Sequence, residues 1–229
     1  MDKLKLVFKI FSQVDECIDP INKRMQPYIL TNGLKIVENT EITKDPEAFT
    51  DKLLKLQSEI SEIIEVSFSN HIRIQQARDE SFQEFINKNK ESSRNIAIYL
   101  HSQFTKGFKQ VSEEQIKQTL EETVKLFCFL FGTDHFIQLY LNLLASRLLN
   151  KSTVSDEAEK IMIQLLEVEC GHNSVNKLKT MIQDMQKSKN IIKDYQEVNR
   201  SGIDFNVEVL TSGQWPYQKS AKITLPKVM

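Results

Sequence analysis

Glycine and proline are scarce in this sequence, six and five among 229 residues. So few chain breakers imply few turns and much helix. Cysteine is scarcer still. Cys17, Cys128 and Cys170 are odd in number and far apart, which argues against a disulfide framework and suits small buried thiols in a reducing compartment. Neither sign of charge dominates: 30 Lys and Arg stand against 31 Asp and Glu, for a net charge of -1. That balance gives no global reason to expect nucleic acid or an anionic membrane as partner. Long hydrophobic runs are missing too. Leu126 to Phe131 is among the longest, well short of the ~20 residues that span a bilayer. The opening MDKLKL lacks a cationic segment with a long apolar core, so no secretory signal is read there. There is no glycine-rich phosphate loop, no repeat of fixed period and no low-complexity segment. The length allows a substantial core in one or two domains.

What is present is organised around His135 to Gly171. In its first half Phe136, Ile137, Leu139, Tyr140, Leu141, Leu143, Leu144, Ala145, Leu148 and Leu149 leave almost no polar face. A helix apolar nearly all round belongs inside a protein, wrapped by other helices. The second half carries one apolar stripe through Ala158, Ile161, Met162, Leu165 and Leu166, with Ser155 or Asp156 to cap it and Gly171 to end it. A buried helix is thus followed by an amphipathic one that returns along it.

The flanking chain supplies the walls. Leu4, Val7, Phe11, Val14 and Ile18 form one helical stripe. Asp19-Pro20 then reads as a cap plus first-turn proline; Ile21, Met25 and Ile29 continue the stripe, with a kink or break expected at Pro27 and a turn at Asn32-Gly33-Leu34. Asp45-Pro46 starts a helix of about 25 residues through Phe49, Leu53, Leu56 and Ile60, ~37 Å long. Another holds Ile74, Ala77, Arg78, Phe82, Phe85 and Ile86. Lys88 to Ser93 is a polar break and the best candidate domain boundary, after which Ser92 or Ser93 can cap a helix with Ile96, Tyr99, Leu100 and Phe104. Ser112 with Gln115 makes a capping-box pair, and Ile116, Leu120, Val124, Phe127 and Phe131 form a stripe ending at Gly132. One more helix runs from Val175 through Leu178 and Met185 to Tyr195.

Then the period changes. Ile203, Phe205, Val207 and Val209 alternate with Asp204, Asn206 and Glu208, the two-residue period of a strand. Thr211-Ser212-Gly213 turns the chain, Trp215-Pro216 follows, and Ala221, Ile223 and Leu225 read as a second, shorter strand. One hairpin alone is marginal in water and leaves edge backbone groups beside an apolar face. Either another chain completes the sheet or the sequence is a piece of a longer protein; truncation is the expectation carried forward.

Candidate chemistry is thin. Cys170 and His172 lie two apart, but a zinc site needs a second ligand pair, and His71, His101 and His135 stand alone. Asp156, Glu157 and Glu159 are the acids a helix N-terminus favours. Cys128 in LFCFLF reads as core, with no motif placing a base beside it. No catalytic constellation and no cofactor site emerge.

Several of these segments resemble the cullin family. Tyr140-Leu141, Leu144-Ala145, Arg147-Leu148-Leu149, Asp156, Ala158-Glu159, Met162-Ile163, Leu166 and Glu169-Cys170-Gly171 follow the order of the cullin homology region, with Ser146 where the family often has Lys. KLKTMIQDMQKSKN at Lys177 to Asn190 is similar to the cullin K-L-x-x-M-x-x-D-x-x-x-S-K-D, Asn190 replacing the last Asp. VLTSGQWP at Val209 to Pro216 is close to V-L-T-x-G-x-W-P, and Leu225-Pro226 to the family's L-P. The resemblance implies a mainly α fold: cullin-repeat helices over 1–91, a four-helix bundle over 92–200, and over 201–229 a short β-hairpin opening an α/β domain. It implies a non-catalytic scaffold fragment of a cullin-RING E3 ubiquitin ligase, without cofactor, metal, nucleic-acid or membrane partner. A RING-box protein would add a strand beside Ile203, Phe205, Val207, Val209, Trp215 and Ile223, and a ubiquitin-conjugating enzyme would be held through it. Lys106 and Lys109 would offer a basic patch to that enzyme's acidic tail, thinner than usual because Thr105 stands where Lys is frequent. Substrate adaptors would bind repeats that this sequence does not contain, and the location would be cytoplasmic, nuclear or both. Two rivals stand beside this reading, a cullin-like helical adaptor or tether unconnected with ubiquitin, and an enzyme acting through Cys128 or Cys170.

Overall fold

The computed structural model describes residues 5–6, 8–9, 18–198 and 206–217. Helices dominate them: α1 (Asp19–Val37), α2 (Thr40–Thr43), α3 (Pro46–Phe68), α4 (Ile72–Ile86), α5 (Ser92–Ser102) running into a π-helical turn (Gln103–Gly107), α6 (Glu113–Cys128), α7 (Thr133–Leu149), α8 (Asp156–Cys170) and α9 (His172–Val198). None of them is long and apolar enough to cross a membrane. One continuous apolar cluster joins them, from Phe8 to Trp215 within the chain that follows α9.

Local signals place most helix ends. Asp45 accepts from the amides of Glu47 and Ala48 and Pro46 follows it, as the cap-plus-proline pattern predicts. Ser112 and Gln115 close the capping box in both directions. Ser155, rather than Asp156, caps α8 by accepting from Ala158 N at 3.1 Å. Two local expectations need correction, and two short elements went unread. Ile18, with no side-chain cap, precedes α1, and Asp19 lies in its first turn. Glu91 precedes α5, while Ser92 Oγ donates to the Ile86 carbonyl at 2.6 Å. The short α2, capped by Asn39, was not legible. The π-helical turn after Ser102 was not either.

The larger correction concerns α1. The expected break at Pro27 and turn at Asn32-Gly33-Leu34 are absent, and the helix runs on to Val37. Pro27 lies on the solvent face, where the carbonyl it cannot bond has access to water. Gly33 faces α4, and a Cβ built on it would stand 2.3 Å from the Phe85 ring. The glycine therefore serves close helix approach, not a turn. α1 and α4 make the broadest helix pairing in the fold.

α3 packs on α1, α4, α5 and α6, and so carries the core across the polar break at Lys88 to Ser93. Beyond it, α5 packs on α7, α6 on α8, and α9 on both α7 and α8. α7 buries Phe136, Ile137, Tyr140, Leu141, Leu144, Ala145 and Leu148, but Leu139, Leu143 and Leu149 are only half-buried and Gln138 and Asn142 are exposed, so it is not wrapped all round as expected.

Phe131 and Cys128 depart from prediction. α6 ends at Cys128, and Phe131 is 69% exposed instead of continuing the buried stripe. Asn87 diverts the chain, donating to the Phe129 carbonyl at 2.8 Å and accepting from Phe131 N at 2.7 Å, before Gly132 turns it in the left-handed region (φ 70°). Cys128 is exposed, not core, and Cys170 is half-buried. Partial desolvation of its thiol and a hydrogen bond with Glu169 nevertheless push Cys128 up to about 12, the opposite of an activated nucleophile.

Replacing Gly33 by Ala drives a methyl into a fully buried ring. Overpacking of this kind costs about 1–3 kcal/mol. Urea unfolding of Gly33→Ala is expected to show that loss, whereas Asn32→Ala, at a half-buried neighbouring position, should change stability far less.

Candidate functional site

Two side-chain networks organise the C-terminal half. The first lies inside the bundle. Arg147 on α7 and Glu159 on α8 are both fully buried. Arg147 donates from Nε to Glu159 Oε1 (2.6 Å) and from Nη2 to Oε2 (2.9 Å), while Tyr140 Oη (3.0 Å) and Thr153 Oγ1 (3.1 Å) donate to the same carboxylate. The guanidinium lies over the rings of Phe104 and Tyr140, 4.7 and 5.2 Å from their centroids. Its Nη1 is 3.3 Å from His101 Nδ1. A guanidinium only donates, so Nδ1 accepts and the imidazole is neutral. Burial first, then the charge of Arg147, lowers the His101 pKa. The network joins α5, the π turn, α7, the α7–α8 loop and α8, and Val154 N adds a bond to the Phe104 carbonyl at 2.9 Å. Glu159 is therefore no first-turn surface acid. Asp156 and Glu157 are, paired with Lys189 and Lys160.

The second network seats residues 206–217 on α9. Asp184 accepts from Thr211 N (2.7 Å), Thr211 Oγ1 (2.7 Å) and Trp215 Nε1 (2.8 Å). Ser188, one turn further along, accepts from Val209 N at 2.8 Å, and its Oγ lies 3.4 Å from the Val209 carbonyl. Trp215 is only 8% exposed and packs into the core cluster. Glu208 turns toward the bundle and pairs with Lys151 at 3.2 Å, closing a cleft of about 240 Å³ with Leu148, Ile182 and Met185 on its wall. Val209 is 49% exposed. Burial opposes the Asp184 charge, but the donors Trp215 and Thr211 outweigh it and hold the carboxyl below its ordinary value.

The predicted hairpin is not seen. Residues 206–210 form no strand, and no strand occurs among the described residues. The backbone of Val209 and Thr211 is met by helix side chains, not by a ladder. Ile203, Phe205, Ile223 and the second strand around Ala221 to Leu225 lie outside the described residues. Of the predicted partner-binding residues, Val207 and Val209 lie on the chain before the turn, and Trp215 is buried against α9 rather than over a sheet edge. Lys106 and Lys109 are exposed, on the π turn and just after it. His172 Nδ1 pairs with Glu167 at 2.8 Å, and Lys179 reaches the same carboxylate at 2.5 Å.

Sequence reasoning missed Arg147, Glu159, Asp184 and Ser188 as interior groups. A signal existed: Asp184 and Ser188 fall six and ten residues after Leu178, on the face that also carries Met181 and Met185. Polar residues on a buried stripe need partners.

The profile described as cullin alpha solenoid domain matches residues 1–192. The chain is similar to Cullin-3 of Dictyostelium discoideum, 31% identical over 232 residues that cover 99% of this chain and 30% of that protein. Similarity to Cullin-3B of Arabidopsis thaliana is 32% identity over 223 residues, covering 96% and 30%. Cullin-4A of Homo sapiens is 34% identical over 232 residues, covering 99% and 30%. The chain thus spans about 30% of the length of these relatives.

Two measurements test the networks. Glu159→Ala leaves a buried guanidinium without its counter-ion and is expected to cost about 3–5 kcal/mol; the double replacement Arg147→Met/Glu159→Leu should cost much less in the same denaturant titration. For Asp184 the folded pKa is lowered, so its contribution is complete above the ordinary carboxylate value near 3.8 and is lost as pH falls through the lower folded value. Emission of Trp215, the single Trp, should stay blue-shifted at neutral pH and move to the red only below pH 3.8, while in Asp184→Ala it should already be red at pH 7.

Proposed function

The chain belongs to the cullin family, and on that premise we propose that it acts as a non-catalytic scaffold segment of a cullin-RING E3 ubiquitin ligase. The segment seated on α9 carries this reading: residues 206–211 lie along the bundle with Val209 and Leu210 exposed and with Val209 and Thr211 fixed by helix side chains. A strand donated by a RING-box protein would gain affinity there through main-chain bonds and specificity through alternate side chains. The conjugating enzyme would be held through that protein, with the exposed Lys106 on the π turn and Lys109 just after it available to its acidic tail. Ile203, Phe205, Val207, Val209, Trp215 and Ile223 remain the proposed contact and support residues, within a C-terminal unit that we place at 201–229, after units at 1–91 and 92–200.

A scaffold does its work by fixing distance. Helices joined by one continuous core and clamped by a buried ion pair suit that task, because a rigid frame removes orientational freedom from the bound partners. Such a subunit makes and breaks no bonds itself.

Co-expression with a tagged RING-box protein tests the reading. The expected result is a complex that survives size-exclusion chromatography, is lost on deletion of residues 203–225, and persists in Cys128→Ser. A chain that folds but never captures the RING-box protein would favour the adaptor or tether reading instead.

A further inference from the structure

Asp184 and Ser188 lie four residues apart, one turn of α9, so their side chains project from the same face about 6 Å apart. The groups they hold, the amides of Thr211 and Val209, belong to residues two apart, and two extended residues span about 6.6 Å. The two spacings match. The segment must therefore run antiparallel to α9, with Val209 beside Ser188 and Thr211 beside Asp184. In an extended chain, N–H and C=O groups of alternate residues point to opposite sides. Val209 agrees: its N–H donates to Ser188 Oγ, and the same oxygen lies 3.4 Å from its carbonyl. The amides of residues 209 and 211 are thus spent on the helix, while the Thr211 carbonyl accepts from Gln214 N at 3.3 Å in the turn that follows. Those of Glu208 and Leu210 point the other way and meet no hydrogen-bond partner among the described residues. Two other contacts hold this register. The Trp215 indole shares the Asp184 carboxylate, and the Glu208 side chain is tied to Lys151.

We infer that Asp184 and Ser188 are positioning residues that fix the register of the segment, and that the edge it presents to an incoming strand consists of the main-chain groups of Glu208 and Leu210, not those of Val209 and Thr211. This rests on the scaffold reading for its partner, the extended strand of a RING-box protein. The helix side chains occupy one side of the segment, so the strand can add only on the other. Because the register is set before the partner arrives, binding does not have to order the segment, and affinity depends on two side chains that need not touch the partner.

Residue-resolved amide exchange on the full chain tests both halves. In the free protein, Val209 and Thr211 amides should exchange slowly and Glu208 and Leu210 fast. Saturation with purified RING-box protein should slow Glu208 and Leu210 by at least roughly tenfold and leave Val209 and Thr211 as they were. Asp184→Ala and Ser188→Ala should each release the Val209 and Thr211 amides, redden Trp215 emission in the Asp184 variant, leave helical circular dichroism unchanged, and weaken the partner on the order of tenfold. Reversion of the partner's affinity in Asp184→Glu, a longer carboxylate, would support a positioning role over a merely structural one. Fast exchange at Val209 and Thr211 in the unmodified protein overturns the register. Slow exchange there, with Glu208 and Leu210 unprotected in a formed complex, overturns the edge. Failure of the unmodified chain to bind at all, with Val209 and Thr211 slow, removes the scaffold reading and with it the partner, yet leaves the register standing.

Discussion

A guanidinium and a carboxylate enclosed together, Arg147 and Glu159, constrain the C-terminal half more tightly than any apolar contact does. Apolar side chains tolerate sliding, because burial energy depends on area and not on direction. A saturated ion pair does not. Four donors converge on the Glu159 carboxylate from α7 and the loop after it, and displacement of any one leaves charge uncompensated in a low-dielectric interior. The pair therefore sets the order in which α5, the π turn, α7 and α8 meet, and the apolar stripes fill the space that order leaves. α9 then packs on α7 and α8, already in place, and offers Asp184 and Ser188 to the chain that follows.

Much of this frame was legible in residue order, and the reasons are local. Asp45, Ser112 and Gln115 act within three residues of themselves, so their capping roles follow from sequence alone. The apolar residues of α7 marked a buried helix, though not the solvent face that Gln138 and Asn142 keep. Long-range partnerships were not legible. Glu159 sits among acids at a helix start, where a surface reading is the ordinary one, and only the approach of Arg147 across the α7–α8 turn makes it interior. Phe131 continued a stripe by spacing, but Asn87, 44 residues earlier, bends the chain away from it. Gly33 looked like a turn because a glycine's usual meaning is conformational; its actual role depends on the Phe85 ring.

The C-terminal segment shows the limit of periodicity. Alternation of Val207, Glu208 and Val209 reports the conformation that the residues favour, but not which surface they will lie on. Here the polar member turns inward to Lys151 and the valine outward, a reversal of what an isolated hairpin on an apolar core would show. The family motif D-x-x-x-S on α9 and V-L-T-x-G-x-W-P after it, separate in the sequence, form one hydrogen-bonded unit in space.

The contact between Gly33 and Phe85 carries a mechanical consequence. With a ring seated in the place of a missing side chain, α1 and α4 cannot rotate against each other without opening a void, and cannot close further without collision. They move as a single strut. α3 enters this strut through the three-residue link Ser69 to His71, whose first two residues lie in the left-handed region, and packs on both of its helices.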